Sequence, residues 1–151
     1  MRYLDEVVLP AMKNGAESAG RSLDDIARAS SVFVATGHTD AQIEQSMEPI
    51  RQQIAFYAST PSYRAVLEAS GWDVGDELHA MSRRGEWDKM PEKISDEMLA
   101  EVGVVAAVDR VGEAIRERYG DRLQRVGFYS VGSALQTDPD ALSSVLSDLK
   151  G

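Results

Sequence analysis

Side chains that could bind a planar or phosphorylated ligand gather in one short stretch of the sequence, IAFYASTPSYRAVLEASGW (54–72). Tyr57 and Tyr63 carry flat rings that can stack on a planar group, and the guanidinium of Arg64 can hold a phosphate through paired hydrogen bonds. Ser59 adds a hydroxyl. The same pattern is also typical of simple packing, with the rings between helices and Ser59 as a helix cap. Both interpretations remain open from the residues alone.

Other kinds of chemistry lack the residues they need. The chain has no cysteine, which excludes a thiol nucleophile, a disulfide and a thiolate metal site. Its two histidines, His38 and His79, have no second histidine at ligand spacing, so no metal site is predicted. For His79 we expect a role in helix packing or at the surface. Phosphate-binding glycine loops and serine nucleophile motifs are absent from the sequence.

Composition limits the partners and the location. The 151 residues fit one domain, 1–151, whose last part (131–151) contains a final helix, and 43% hydrophobic residues suffice for a core. The formal charge of −9 argues against nucleic acid and anionic membrane surfaces as partners. No secretion signal or apolar run of membrane-spanning length occurs. We therefore expect a cytoplasmic protein with no membrane partner.

Helical periodicity is clearest in the segment before the aromatic stretch. Thr39 and Gln42 form a capping-box pattern, and an apolar stripe follows it at Ile43, Met47, Ile50, Ile54 and Tyr57. Trp72 and Trp87 lie on either side of a helix predicted over 74–84, and both are predicted to pack in a core or an interface. Further helices are predicted over 3–19, 61–70, 74–84, 96–102, 108 to about 120, and from Asp138 onward. Thr60, Asp73 and Ser95 are the predicted caps of the second, third and fourth of these, and Pro61 is the predicted first residue of the second. A short turn is predicted over 23–28, capped by Ser22.

Two segments are predicted to be strands, SSVFVATG (30–37) and RVGFYSV (125–131). The first is apolar on both faces, which is typical of a buried strand in a parallel sheet. Two strands of this kind need neighbours for their backbone hydrogen bonds. The sequence therefore predicts that the chain either self-associates or forms part of something larger.

Three motifs resemble the C-terminal part of luciferase-like flavin monooxygenases, and most closely their coenzyme F420-dependent branch. They are IAFYASTPSYRAVLEASGW, DELHAMSRRGEWDKM and ISDEMLAEVGVV. The upstream PAMKNGAESAGRS and the downstream RVGEAIRERYGDRLQRVGFYS are similar to the same part of that family. The resemblance extends from about residue 3 to about residue 131.

The resemblance implies an α/β fold, the C-terminal portion of a TIM (β/α)8 barrel. Such a barrel takes about 250 residues, so this chain would supply only its end. The segments 30–36 and 125–131 would be late barrel strands, and the helices between them an insertion beside the barrel mouth. The earlier strands, which in the family provide most of the cofactor cradle, would be missing.

In a barrel, residues at the carboxyl ends of strands face the active site. On the resemblance, this places Thr36, Gly37, His38, Gly132 and Ser133 at the functional end. A lone histidine in a loop is otherwise more often only solvated.

The implied cofactor is F420, with FMN as the alternative, and it would perform the hydride chemistry. The candidate cofactor-binding residues are Thr36, His38, Tyr57, Ser59, Tyr63 and Arg64. No catalytic acid or base is predicted, and the substrate stays unknown.

One segment departs from the family pattern. Where members carry a Gly-(Thr/Ser)-Pro-like step before the last helix, this chain has VVAAVDRV (104–111). Ala106 and Ala107 have no side chain that can cap a helix, which costs around 1 kcal/mol and puts cofactor binding in doubt.

Three hypotheses remain from the sequence. The chain is part of an F420-dependent oxidoreductase that is incomplete for catalysis alone and needs a complementing N-terminal barrel polypeptide. Alternatively, it is a non-catalytic helical remnant that self-associates as a homo-oligomer. In the third, Met1 is an internal start and the natural protein is longer.

Overall fold

The computed structural model describes residues 1–150 and has a small sheet surrounded by helices. The strands are β1 (Ala29–Gly37), β2 (Gly103–Ala107) and β3 (Arg125–Tyr129). The helices are α1 (Leu9–Ser18), α2 (Asp40–Ala58), α3 (Arg64–Ser70), α4 (Gly75–Arg84), α5 (Asp96–Val102), α6 (Val108–Tyr119), α7 (Ala134–Thr137) and α8 (Pro139–Lys150). A π-helical segment, Leu4–Val8, leads into α1, and 3-10 turns occupy Leu23–Asp25, Pro61–Tyr63 and Met90–Lys93.

Most predicted helix starts are found, with the hydrogen bonds that create them. The Thr39 side chain accepts from the backbone N–H of Gln42 at the start of α2, and Ser95 caps α5 in the same way. Ser22 and Asp25 form a complete capping box. The predicted cap at Asp73 is wrong, because α4 begins after Val74 and no side chain bonds its first turn. The predicted cap at Thr60 is wrong as well, because its hydroxyl donates back to the carbonyl of Phe56.

The three strands are parallel, in the order β2-β1-β3. Partner β2 lies beside the carboxyl-terminal half of β1, from Phe33 to Gly37, and β3 lies beside the amino-terminal half, from Ala29 to Phe33. The predicted strand 30–37 is therefore the central one. It has a neighbour from within the chain on each side, but each neighbour covers only about half of its length.

Helices cover both faces of the sheet. On one face Ala35 and the partly buried Phe33 pack against the core formed with α2, α4 and α5. On the other face Val32 and Val34 pack with α6 and α8. Because successive strand residues point to opposite faces, the cover on both faces explains why β1 is apolar from Val32 to Ala35.

The sequence predicts two strands, and the structure has a third, β2, in a segment for which no strand is predicted. Its five residues follow Val102 of α5 directly and continue directly into Val108 of α6. No turn residue separates it from α6, so the usual boundary signals are missing there. β2 therefore supplies a strand neighbour for β1 that the two predicted strands do not include.

The described residues do not form an arc of a barrel. In a (β/α)8 barrel each strand lies beside the next, and the helices form only an outer ring. Here the last strand, β3, lies beside β1, and helices occupy both faces. The fold is a mostly helical α/β arrangement around a three-stranded parallel sheet. The outer edges of β2 and β3 have no strand partner within residues 1–150.

Candidate functional site

The aromatic stretch forms a ring cluster where α2 ends and the next turn begins. Tyr57 lies in the last turns of α2, and Tyr63 closes the 3-10 turn that Pro61 opens. Proline is well placed there because its fixed φ suits the first helical residue. The two tyrosine rings lie 5.1 Å apart between centroids, at an interplanar angle of 31°. They therefore pack on each other and leave no room for a planar ligand between them.

Beside the tyrosine pair is a small apolar cavity of about 150 Å³, which we call the aromatic cavity. It lies between the sheet and the helices α2 and α3. It is lined by Phe33, Ile54, Tyr57, Ala58, Tyr63, Val66, Leu67, Trp72 and Val102. None of these side chains is charged, so the cavity selects for apolar groups.

Ser59, a predicted binding residue, is buried and has a structural role. Its hydroxyl donates to the carbonyl of Phe56 at 2.7 Å. Its own carbonyl accepts from Nδ1 of His79 at 2.9 Å. The first bond closes the end of α2 and the second joins it to α4, so Ser59 offers no free group to a ligand. His79 has the packing role that the sequence predicts.

Arg64, the predicted phosphate ligand, is already paired. Its guanidinium donates to the carboxylate of Asp76, and this hydrogen bond together with the charge of Asp76 raises the pKa of Arg64. Its side chain is about half exposed. A phosphate would have to displace Asp76 before it could bind there.

Thr36 and His38 lie at the carboxyl end of β1, apart from the rings. Thr36 is fully buried, and its hydroxyl oxygen has no hydrogen-bond partner among the described residues. Gly37 separates them, and a Cβ there would lie 2.4 Å from Cβ of Gln42, so only glycine fits. This close approach brings α2 directly onto the strand end.

His38 bonds to a residue far along the chain. Its Nε2 lies 2.9 Å from Oδ2 of Asp138, and Oδ1 of the same carboxylate accepts from the backbone N–H groups of Asp140 and Ala141. The hydrogen bond from His38, followed by the N–H of Ala141, lowers the pKa of Asp138. Asp138 thus fixes the start of α8 and ties it to the end of β1.

Ser133 and Gly132 form a turn after β3. Ser133 is buried, and its hydroxyl donates to the carbonyl of Ser130 at 2.9 Å. Gly132 has φ of 73° and donates its N–H to Oε1 of Gln136. These contacts account for both residues locally.

A cleft of about 480 Å³ opens at the carboxyl ends of β1 and β2. This is the edge at which parallel α/β sheets bind ligands. Besides His38 it is lined by three carboxylates, those of Asp109, Asp138 and Asp140. That charge disfavours a phosphate, although the first turn of α6 carries no side-chain cap on its N–H groups, as Ala107 predicts.

The six predicted binding residues therefore fall into two places rather than one site. The aromatic cavity and the cleft share no lining residue. Sequence reasoning missed Phe33 as a cavity wall, although its position two residues before Ala35 on the strand indicates that face. It also missed the pairing of His38 with Asp138, since residues 100 positions apart leave no local signal.

These residues do not fit a flavin-type cofactor by themselves. Pockets for larger ligands measure roughly 300–1,000 Å³, and the aromatic cavity is smaller than that. Arg64 is paired with Asp76, and the cleft is acidic. No cluster of three or more His, Asp or Glu that could hold a metal occurs in the described part of the chain.

The fold and site thus define a mostly helical α/β domain with an apolar cavity and an acidic cleft at the strand ends. Over residues 3–125 the chain matches the luciferase-like monooxygenase family, and it belongs to that family. Members of this family generally use flavin-type cofactors.

Two similar proteins are uncharacterized protein Mb1395 of Mycobacterium bovis and uncharacterized protein Rv1360 of Mycobacterium tuberculosis. Each is 44% identical over 126 residues, which cover 83% of this chain and 37% of the relative. The chain thus spans little more than a third of the length of these relatives. Among the described helices, none is long and apolar enough to cross a membrane.

Proposed function

We propose that this chain is the C-terminal portion of an F420-dependent oxidoreductase and needs further polypeptide to be active. The observation that carries the proposal is the family match over a chain that covers 37% of its relatives. The open outer edges of β2 and β3 support it, because unpaired edges are where additional strands can add. A cytoplasmic location and a small-molecule substrate are part of the proposal.

In this proposal F420, or FMN as the alternative, supplies hydride chemistry when bound. The present residues give only part of a cradle. Of the six predicted binding residues, Tyr57 and Tyr63 keep apolar ring surface beside a cavity, and Thr36 keeps an unpaired hydroxyl at the strand end. Ser59 and Arg64 are engaged within the chain, and His38 is paired with Asp138.

The order of the three strands limits how further barrel strands could join this sheet. A sequential barrel would need β3 to leave β1 and pair beside β2, so completion implies a rearrangement of β3 and α8. β3 is half exposed along much of its length, whereas Val32 and Val34 of β1 are buried. We therefore place the change in β3 and leave β1 fixed.

A second candidate function is a non-catalytic module that self-associates. The observation that favours it is the covering of both sheet faces by the chain's own helices. Every residue of β1 also has a strand partner from within the chain on at least one side, β3 along its first half and β2 along its second half.

One experiment separates the two. The purified chain is titrated with F420 and with FMN while cofactor fluorescence is followed, first alone and then with the N-terminal segment of the Mycobacterium bovis relative. The molar mass is measured in parallel by light scattering. The proposal expects binding only in the mixture. A stable homo-oligomer that ignores the segment and both cofactors would support the second function, and tight cofactor binding by the chain alone would contradict its incompleteness.

A further inference from the structure

We propose that the aromatic cavity is a binding site for one small, uncharged, single-ring aromatic molecule. This goes beyond the proposed function and does not rest on it. The cavity lies within the chain itself and needs no further strand.

The size of the cavity limits the ligand. A volume of about 150 Å³ accepts a single ring with a short substituent, and a fused three-ring system exceeds it. The same rings that the sequence suggests as a cofactor platform thus enclose space for something smaller.

The lining excludes charge and disfavours water. The accessible surface of the lining is almost entirely apolar, although Tyr57, Tyr63 and Trp72 each carry a polar group. A buried water needs two to four polar partners, so an aromatic ligand gains by filling this space. A carboxylate or ammonium group would lose its hydration without a partner.

The walls are already fixed, so little order has to be created on binding. The floor consists of Ile54, Ala58 and Leu67, each no more than 6% exposed. Leu67 is held against Gly75, where an added Cβ would lie 2.9 Å from its Cδ1. The backbone N–H of Trp72 donates to the carbonyl of Leu67 at 2.9 Å, which fixes the turn that carries the indole.

The opposite wall is held by its neighbour on the adjacent strand β3. The ring of Phe33 meets the ring of Tyr129 edge to face at 5.1 Å, and the hydroxyl of Tyr129 donates to Oε1 of Gln53 at 2.8 Å. Tyr63 is 40% exposed and lies at the mouth. Rings arranged around a ligand in this way offer both faces and edges, the geometries that aromatic pairs prefer.

The test uses toluene as the probe and benzoate as its charged counterpart. Trp72 reports binding by fluorescence in a Trp87→Phe background, because Trp87 is exposed and does not line the cavity. We expect saturable binding of one toluene per chain, with a dissociation constant on the order of 1 mM. Benzoate should bind at least tenfold more weakly.

Val66→Phe fills the cavity from a partly exposed position without adding a second tryptophan, and it should weaken toluene binding at least tenfold. Phe56→Leu removes an exposed ring outside the lining and should leave binding within twofold. Circular dichroism checks that both variants fold, and Ala58→Leu provides a second filling variant. Non-saturable toluene binding, equal binding of benzoate, or full binding by a folded filled variant would overturn the proposal. None of these outcomes depends on F420 or FMN.

Discussion

At the scale of single residues, Thr36 is a buried hydroxyl that the fold leaves unpaired. Its Oγ1 has no hydrogen-bond partner among the described residues, and the side chain is fully buried. A buried polar group without a partner loses hydration and gains nothing in return. Its presence at the carboxyl end of β1 therefore costs stability.

Thr36→Val tests this cost. Valine has nearly the same shape and removes the unpaired oxygen, so we expect the free energy of unfolding to rise by about 1 kcal/mol. Urea unfolding measures the change. The matched control is Thr39→Val, where the same substitution removes the cap of α2 and should cost about 1 kcal/mol. A loss of stability in Thr36→Val would mean that its hydroxyl has a partner in solution.

Asp138 gives the molecule a pH-dependent contact at residue scale. The hydrogen bond from His38 lowers its pKa below the ordinary 3.8, so the folded state binds fewer protons there than the unfolded state. The stabilisation by Asp138 is therefore complete at neutral pH and is lost as the pH falls from about 3.8 through the lowered value. We expect Asp138→Asn to lower the Tm at pH 7, with the difference from the parent chain shrinking as the pH approaches 2.5.

Thermal unfolding followed at several pH values measures that difference. Asp140→Asn is the control, because this neighbour lies in the same turn and its side chain accepts no hydrogen bond among those described. A Tm difference for Asp138→Asn that is the same at pH 7 and pH 2.5 would contradict the assigned cause.

At the scale of elements, local signals predicted the helices well and the sheet poorly. Caps such as Thr39 and Ser95 act within one turn, so the sequence shows them directly. β2 has five residues and no flanking turn, and its pairing with β1 spans about 70 positions. Prediction of the candidate site has the same limit. The Tyr57–Tyr63 contact joins residues close in sequence and can be predicted, whereas the His38–Asp138 contact joins distant residues and cannot.

The start of α6 offers a prediction at this scale. Ala107 has the extended backbone of an N-cap, with φ −62° and ψ 153°, and no side chain bonds the first turn. Ala107→Ser should therefore add a cap and raise the free energy of unfolding by about 0.5–1 kcal/mol. The same change one residue earlier, Ala106→Ser, places a hydroxyl inside β2 and should bring no gain. Urea unfolding of the two variants side by side decides, and equal effects would reject the capping explanation.

At the scale of the whole molecule, the unpaired outer edges of β2 and β3 separate the two proposed functions, addition of further barrel strands and self-association. Both cores are closed by the chain's own helices, yet β2 exposes Val105 at 38% on an edge that no described strand covers. Monomeric proteins usually protect such edges with charge, and this one is uncharged. The relatives extend well beyond the matched region. The proposed function therefore expects a strand from such a further region to pair with the edge of β2.

Val105→Lys tests whether a further strand pairs with the edge of β2. A lysine on the edge should weaken association with the N-terminal segment of the Mycobacterium bovis relative at least tenfold, because its charge would be buried on pairing. Val7→Lys is the matched control: Val7 is similarly exposed, at 41%, but lies in the π-helical segment before α1, so it should leave association within twofold. Titration calorimetry measures both. If neither variant changes association with the segment, the partner binds elsewhere than β2; if Val105→Lys instead disperses a homo-oligomer of this chain, the edge serves self-association and the second function is favoured.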